Sequence, residues 1–280
     1  LQVNLNTNNP DSLQIEPKLI SKGFNIQSYG NTNFSALNDT FTHRIYNDGV
    51  FIKSIRVGDG KEFISLNSIS PFLRWAMITS EDGSFYNHRG FDLDGIRYAM
   101  ACNIKEKRFA RGGSTISQQL VKNLYLNRNK NITRKFEEFL TVWMIENNSI
   151  VSKDKMLEIY LNIIEWGPNV YGVKEACHYY FNKKPNEISL QEALFLAYIV
   201  PRPTKFKWVF DDENHLKPFM LNSFEFVSNK MLNRGYITDD DYSSILSIDE
   251  FNLNGEAKKL IAKQDTFPSD TIDFVDFTEE

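Results

Sequence analysis

Cysteine is scarce in this chain: only Cys102 and Cys177 occur among its 280 residues. Two isolated thiols in helical-looking patterns supply neither a disulfide framework nor metal-ligand spacing, and both read as core residues. Long apolar runs are missing too. The longest, Ala193 to Val200, falls far short of the roughly 20 residues that a membrane-crossing helix requires. No secretory leader is visible, and the chain begins at Leu1 rather than Met, which reads as a fragment whose targeting or anchoring segment lies outside it. Nor is there an excess of positive charge. The formal net charge is −4, so the totals give no reason to invoke nucleic acid.

The charge that is present is unevenly placed. Asn103 to Lys135 holds nine Lys or Arg residues and one acid, Glu106, whereas Gln264 to Glu280 holds six acids and no base. A basic segment inside an acidic chain points to a fixed anion such as a phosphate, with a solvated helix face as the alternative.

Residues 1 to about 40 are rich in Asn, Ser and Thr and read as loop or short strand. From His43 to Leu66, apolar residues alternate with polar ones around the turn signals Asn47-Asp48-Gly49 and Asp59-Gly60, the pattern of a small hairpin or meander. Helical patterns follow. Ser70 caps and Pro71 opens a helix that ends near Glu81. Further helices are expected over Asp94–Ile104, Ser114–Leu126 and Thr133–Asn147, the last with Phe136, Leu140, Trp143 and Met144 on one stripe. Lys153–Asn162 is capped by Ser152, and Val173–Phe181 comes next. Ser189-Leu190-Gln191-Glu192 forms a capping box for the helix that Pro201 stops. Phe219–Arg234 and Asp239–Leu246 complete the set. The expected organisation is an N-terminal extension over residues 1–67, a main domain over 68–250 and an acidic, mobile tail over 251–280.

Two strings carry the chemistry. In Glu81-Asp82-Gly83-Ser84-Phe85-Tyr86-Asn87-His88-Arg89-Gly90, a carboxylate pair closes an apolar helix. Partial desolvation there raises a carboxyl pKa and makes a usable base near neutral pH. His88 either bonds a carboxylate or bridges backbone groups. In the second string, Gly112-Gly113 frees the backbone ahead of a helix N-terminus, and Gln118, Gln119 and Lys122 fall on successive turns. Arg134 and Glu138 then share one helix face: an ordinary intrahelical ion pair, or a second acid held among cations. Glu158 to Asn162 looks architectural, with Asn162 as a hydrogen-bonding strut.

These strings resemble the motifs of the peptidoglycan glycosyltransferases (glycosyltransferase family 51), the transglycosylase module of class A penicillin-binding proteins and of monofunctional transglycosylases. Glu81, Asp82, Phe85, His88 and Gly90 match the family's Glu-Asp-x-x-Phe-x-x-His-x-Gly, and Gly112 to Asn123 matches its Gly-Gly-Ser-Thr-Ile-[Thr/Ser]-Gln-Gln string with a trailing Lys-Asn. Arg134, Lys135 and Glu138 match Arg-Lys-x-x-Glu. Lys153 to Asn162 is similar to a fourth motif, and Ala176, Tyr180, Phe181 and Lys183 resemble a later Ala-x-x-Tyr-Phe-x-Lys, with Tyr179 as one residue more between Ala176 and Tyr180. The likeness runs from about His43 to Tyr242. One departure is Lys130, where many relatives carry Arg; the charge is kept but the bidentate fork is lost.

The resemblance implies a mainly α fold: a lysozyme-like helical domain with a small membrane-facing jaw and a short N-terminal β-hairpin region. It implies an inverting transferase that joins lipid II disaccharide-peptide units by β-1,4 linkage and releases undecaprenyl diphosphate. Glu81 would be the catalytic base and Glu138 the second catalytic acid. Asp82, Phe85, His88, Ser114, Thr115, Gln118, Gln119, Lys122, Asn123, Lys130, Arg134 and Lys135 would bind substrate. No cofactor is required, although Mg²⁺ or Mn²⁺ assists some relatives, with Glu138 as the possible ligand. Expected partners are lipid II, the growing glycan strand, the membrane surface and other cell-wall synthesis proteins, at the extracytoplasmic (periplasmic) face of the cell membrane and through an anchor outside this chain; moenomycin would inhibit. Phe91, Leu93, Ile96, Tyr98, Met100, Phe109, Leu124, Tyr125 and Leu126 are the candidates for the jaw surface. A hydrolase of the same glycan and a silent docking module are the rival readings, and Ser152-Lys153-Asp154-Lys155 lacks the Lys-Thr-Gly partner of a transpeptidase.

Overall fold

Alternation of apolar and polar residues over the first part of the chain yields short antiparallel pairs, and the 3.6-residue period beyond residue 70 yields helices packed around one core. The computed structural model describes residues 2–4, 14–16, 32–47, 49–105, 112–126, 132–248 and 250–261. Strands β1 (Gln2–Asn4) and β2 (Gln14–Glu16) pair antiparallel, as do β3 (Phe41–Asn47) and β4 (Val50–Val57). The second hairpin is the one expected, but it stops at Val57 rather than running to Leu66. The reason lies in α5 (Lys153–Ile163). Its Asn162 accepts from the Ile64 N–H through Oδ1 and donates to the Ile64 carbonyl through Nδ2, each at 2.8 Å. Glu158 accepts from the Leu66 N–H at 2.9 Å. With its polar groups met by a helix, that segment has no need of a third strand.

Helices α1 (Pro71–Glu81), α2 (Leu93–Lys105), α3 (Ile116–Tyr125) and α4 (Ile132–Asn147) precede α5. A small hairpin follows, of β5 (Glu165–Gly167) and β6 (Val170–Tyr171), then α6 (Val173–Phe181) and α7 (Leu190–Ile199). The chain continues with α8 (Pro218–Asn233), α9 (Asp239–Leu246) and the short α10 (Lys258–Ile261). The fold is mainly α, as the sequence implied. Pro71 takes the first helical position, yet Ser70 makes no side-chain cap; its hydroxyl donates instead to the Ile188 carbonyl at 2.8 Å, tying α1 to the start of α7.

Beyond its capped first turn, helix α7 is apolar on every side, so it lies in the interior and packs along α1. Burying Leu73, Ala76, Met77 and Ile78 of α1 against it fixes where that helix ends, and hence where Glu81 and Asp82 emerge. The same core holds Trp166, Tyr180, Phe181, Phe195, Phe206, Phe210 and Phe224. Residues 251–261 belong to this core and not to a tail. Phe251 packs against Phe181 and Phe195, and the Asn254 N–H donates to the Tyr180 carbonyl at 3.0 Å. The remainder of the expected acidic tail lies outside the described residues.

The stripe expected on helix α4 divides in the structure: Phe136 is 61% exposed and Leu140 40%, whereas Trp143 and Met144 are half-buried, Met144 against the core. The opposite face, with Glu138, Val142, Ile145 and Glu146, is buried. Glu146 accepts from Lys153 and the Ser117 hydroxyl on neighbouring helices, and Glu138 from Lys135 on its own helix and Gln118 on α3, which offsets the desolvation that would otherwise turn this face outward.

Asn162 is 1% exposed and holds both Ile64 backbone groups. Replacing it with Ala strands them, and Asn162→Ala should lower unfolding stability by about 2–4 kcal/mol, read as a lower denaturant midpoint at unchanged slope.

Candidate active site

At the end of α1 two adjacent carboxylates receive different surroundings. Asp82 is 5% exposed and fully engaged. Its Oδ2 accepts from the Ile116 N–H at 2.9 Å, at the first turn of α3, where free amides and the helix dipole favour an anion. Its Oδ1 lies 2.8 Å from His88 Nε2. His88 Nδ1 accepts from the Gly90 N–H at 3.1 Å, so the ring proton sits on Nε2 and is donated to Asp82. His88 thus takes both roles open to it in sequence: it bonds a carboxylate and bridges backbone.

Gly90 is where this loop meets the helices. Its φ is +89°, and a Cβ there would come within 2.5 Å of Val142 Cγ1. The Gly90 carbonyl accepts from the Thr115 hydroxyl at 2.7 Å. Thr115 also caps α3: the Gln118 N–H donates to its Oγ1, and Gln118 Oε1 accepts from the Thr115 N–H at 3.0 Å. Gly112 and Gly113 do not adopt positive φ; Gly113 is small because α2 passes close, with the Ile96 Cα 3.3 Å from where a Cβ would stand.

Glu81 is half-buried. Gln119 Nε2 donates to its Oε2 at 2.7 Å, and Gln119 Oε1 accepts from the Tyr160 hydroxyl at 2.9 Å. Desolvation pushes the Glu81 carboxyl above its ordinary range; the Gln119 hydrogen bond and the Lys122 charge pull against that rise, and the Asp82 charge adds to it. Lys122 is exposed by area yet crowded by its neighbours. Desolvation lowers its pKa, Lys135 and Arg134 lower it further, and Glu138 and Glu81 oppose the fall. Glu138 is 2% exposed, pairs with Lys135, and its Oε1 accepts from Gln118 Nε2 at 3.2 Å. Lys135 Nζ also reaches Ser114 Oγ at 3.3 Å. Both glutamates and three cations therefore act on one another through Lys122, a row of alternating charge running from α1 across α3 to α4.

The expected site residues divide by burial. Glu81, Gln119, Lys122, Arg134, Lys135, Ser114 and the exposed Asn123 keep some access to solvent. Asp82, Thr115, Gln118 and Glu138 are buried with their polar atoms committed within the protein. Phe85 is wholly buried and offers no face to a ligand; its ring packs beneath Lys153, whose Nζ lies 4.5 Å from the centroid. Lys130 lies outside the described residues.

Sequence reasoning missed one cluster. Glu146, 7% exposed, accepts from Lys153 Nζ at 2.6 Å and from the Ser117 hydroxyl, and stands directly behind Gly90. The spacing Glu138-Val142-Ile145-Glu146 was the available signal: two acids on one helical face with two aliphatics.

Several jaw candidates are exposed, namely Leu93, Tyr98, Met100 and Tyr125, while Phe91, Ile96, Leu124 and Leu126 are partly covered. Phe91 stacks on Phe139 of α4 at 4.3 Å, which joins these residues to the outward face of that helix. Phe109 lies outside the described residues. Among the described residues no helix is long and apolar enough to cross a membrane, and no cluster of three or more His, Cys, Asp or Glu could hold a metal ion.

The family profile described as Transglycosylase (Transgly) matches residues 48–231, more than half of the chain and all of the geometry above. The chain belongs to the transglycosylase family. Relatives include the biosynthetic peptidoglycan transglycosylase of Chromobacterium violaceum, 40% identical over 61% of this chain and 72% of its own length. That of Paraburkholderia xenovorans is 36% identical over 60% of this chain and 68% of its own length. Penicillin-binding protein 1A from Haemophilus influenzae aligns over 75% of this chain and 21% of its own, at 19% identity and a TM-score of 0.37. The transglycosylase match begins at residue 48, inside the β3–β4 hairpin, so part of the segment set apart in sequence as an extension falls within the family region.

A carboxyl whose folded pKa is raised binds more protons folded than unfolded, so it weakens the fold as pH rises from the ordinary carboxylate range through its folded value. Glu81→Gln removes that loss. Thermal melts should show the variant matching the parent near pH 4 and exceeding it progressively toward pH 8.

Proposed function

We propose that this transglycosylase polymerises the glycan strands of peptidoglycan from lipid II, with Glu81 as general base. The observation that carries the reading is the half-buried Glu81 carboxyl, held by Gln119 at 2.7 Å and within the electrostatic reach of Lys122. Glu81 removes the proton from the acceptor sugar's 4-hydroxyl as that oxygen attacks C1 of the donor. The bond from C1 to the diphosphate breaks, and its electron pair leaves with undecaprenyl diphosphate. Attack opposite the leaving group inverts C1 and forms a β-1,4 bond. A sugar hydroxyl is a weak acid, so proton removal and attack are concerted. Lys122, Arg134 and Lys135 stabilise the charge gathering on the diphosphate, and Ser114 and Asn123 position the sugars. The kinship to biosynthetic peptidoglycan transglycosylases supports this substrate class.

Buried Asp82, Thr115 and Gln118 and half-buried His88 act by holding the loop and α3 in register, and Phe85 by packing beneath them. Glu138 orients Lys135 and Lys122. A divalent ion fits poorly at Glu138, because the same oxygen already accepts from Lys135 and Gln118 and further cations stand close. No step is assigned to Mg²⁺ or Mn²⁺. The outward apolar residues of α2 and α4 rest on the extracytoplasmic face of the membrane, where the substrate's lipid tails stay embedded, and other cell-wall synthesis proteins act alongside.

Incubation with lipid II in detergent, followed by separation of products by chain length, tests the reading. Polymer formation blocked by moenomycin is the expected result, and release of fragments from finished wall in its place overturns it. Glu81→Gln should lower the polymerisation rate by about 10²–10⁴-fold. Lys135→Met, which unpairs buried Glu138, should lower kcat more than it raises KM.

A further inference from the structure

We infer that Tyr160 is a positioning residue for the reaction: its hydroxyl, anchored in the core, dictates which end of the Gln119 carboxamide meets Glu81. The inference rests on Glu81 being the base, as proposed above. Tyr160 is wholly buried on α5 and donates to Gln119 Oε1 at 2.9 Å, which turns the amide NH2 toward Glu81 Oε2, 2.7 Å away. Nothing about a carboxamide alone favours that orientation in both states of the base. An ionised Glu81 needs the NH2 end. A protonated Glu81 is served equally well by the carbonyl end, to which its own O–H can donate. By occupying the carbonyl oxygen, the phenol penalises the flipped arrangement that suits the protonated form. Tyr160 holds its proton throughout: burial pushes its pKa well above the ordinary value, and the Glu81 and Asp82 charges push it further.

The other groups facing Glu81 do not duplicate this control. Asp82 follows it in the chain and raises its pKa, and Lys122 on α3 lowers it. Lys135, Arg134 and Glu138 of α4 act in turn on Lys122. Gln119 is the group that donates a hydrogen bond to the carboxylate, and Tyr160 sets its direction.

The test is the pH dependence of kcat/KM for polymerisation of lipid II, whose acid limb reports the base in the free enzyme. Tyr160→Phe keeps the ring and removes the hydroxyl. Its acid limb should move up by roughly half to one pH unit, with activity recovering toward the parental value well above the limb. Gln119→Leu, which removes the donor itself, should move the limb at least as far. The double variant should move it no further than Gln119→Leu does, because Tyr160 acts through Gln119. A Tyr160→Phe limb at the parental pH, a uniform loss at every pH, or shifts that add in the double variant each overturn the inference. If Tyr160→Phe does not fold, Gln119→Leu decides alone, and a limb left at the parental pH overturns it. Glu81→Gln is the separate arm: activity retained there refutes the base itself, whereas loss there with an unmoved limb in the other variants refutes only the role of Tyr160.

Discussion

The site depends on one contact, the Asp82 carboxylate set against the first turn of α3. An anion at a helix N-terminus meets unpaired amide groups and a favourable dipole, and here it also accepts from His88. That contact locks the end of α1 to the beginning of α3. Everything that gives Glu81 its chemistry follows from the lock. Gln119 and Lys122 lie one and two turns along α3, so fixing its first turn delivers an amide and a cation to the neighbouring carboxylate. The two acids are alike in sequence and opposite in condition: one is saturated with donors, the other left raised by desolvation.

Around the lock, polar groups support polar groups. Thr115 holds Gly90 and caps α3, and Gln118 joins that cap to Glu138. Glu146 and Lys153 stand behind the loop, linking α4 to α5. A network in which nearly every member is satisfied tolerates little local rearrangement, because each lost partner leaves a buried charge or amide. The positive φ and tight contact of Gly90 fit that description, since no larger residue has room beside Val142.

Much of this was legible in the sequence because the informative residues are contiguous. Glu81 to Gly90 and Gly112 to Asn123 each lie within one helix end and its loop, and local chemistry settles such segments. Helix positions followed from period and caps, to within a few residues. Burial was harder to read. Periodicity locates a stripe on α4 but cannot say which side faces inward, since the deciding partners, Lys153, Ser117 and Gln118, come from other elements. The same limit applies to Phe85, whose motif position gives no hint that it is wholly enclosed, and to Ser70, whose hydroxyl found a carbonyl far along the chain. The packing of residues 251–261 was hidden because a few apolar side chains among polar ones carry no period.

Helix α4 is in effect a stiff lever with a greasy outer flank and an ionic inner one. Phe136 and Phe139 project outward on either side of Glu138, which projects inward, all within a single turn. Whatever grips the outer flank therefore sets the azimuth of the inner carboxylates, since a rigid rod cannot roll at one surface and stay still at the other. The apolar flank and the ionic one are carried on the same stretch of backbone, and neither can turn without the other.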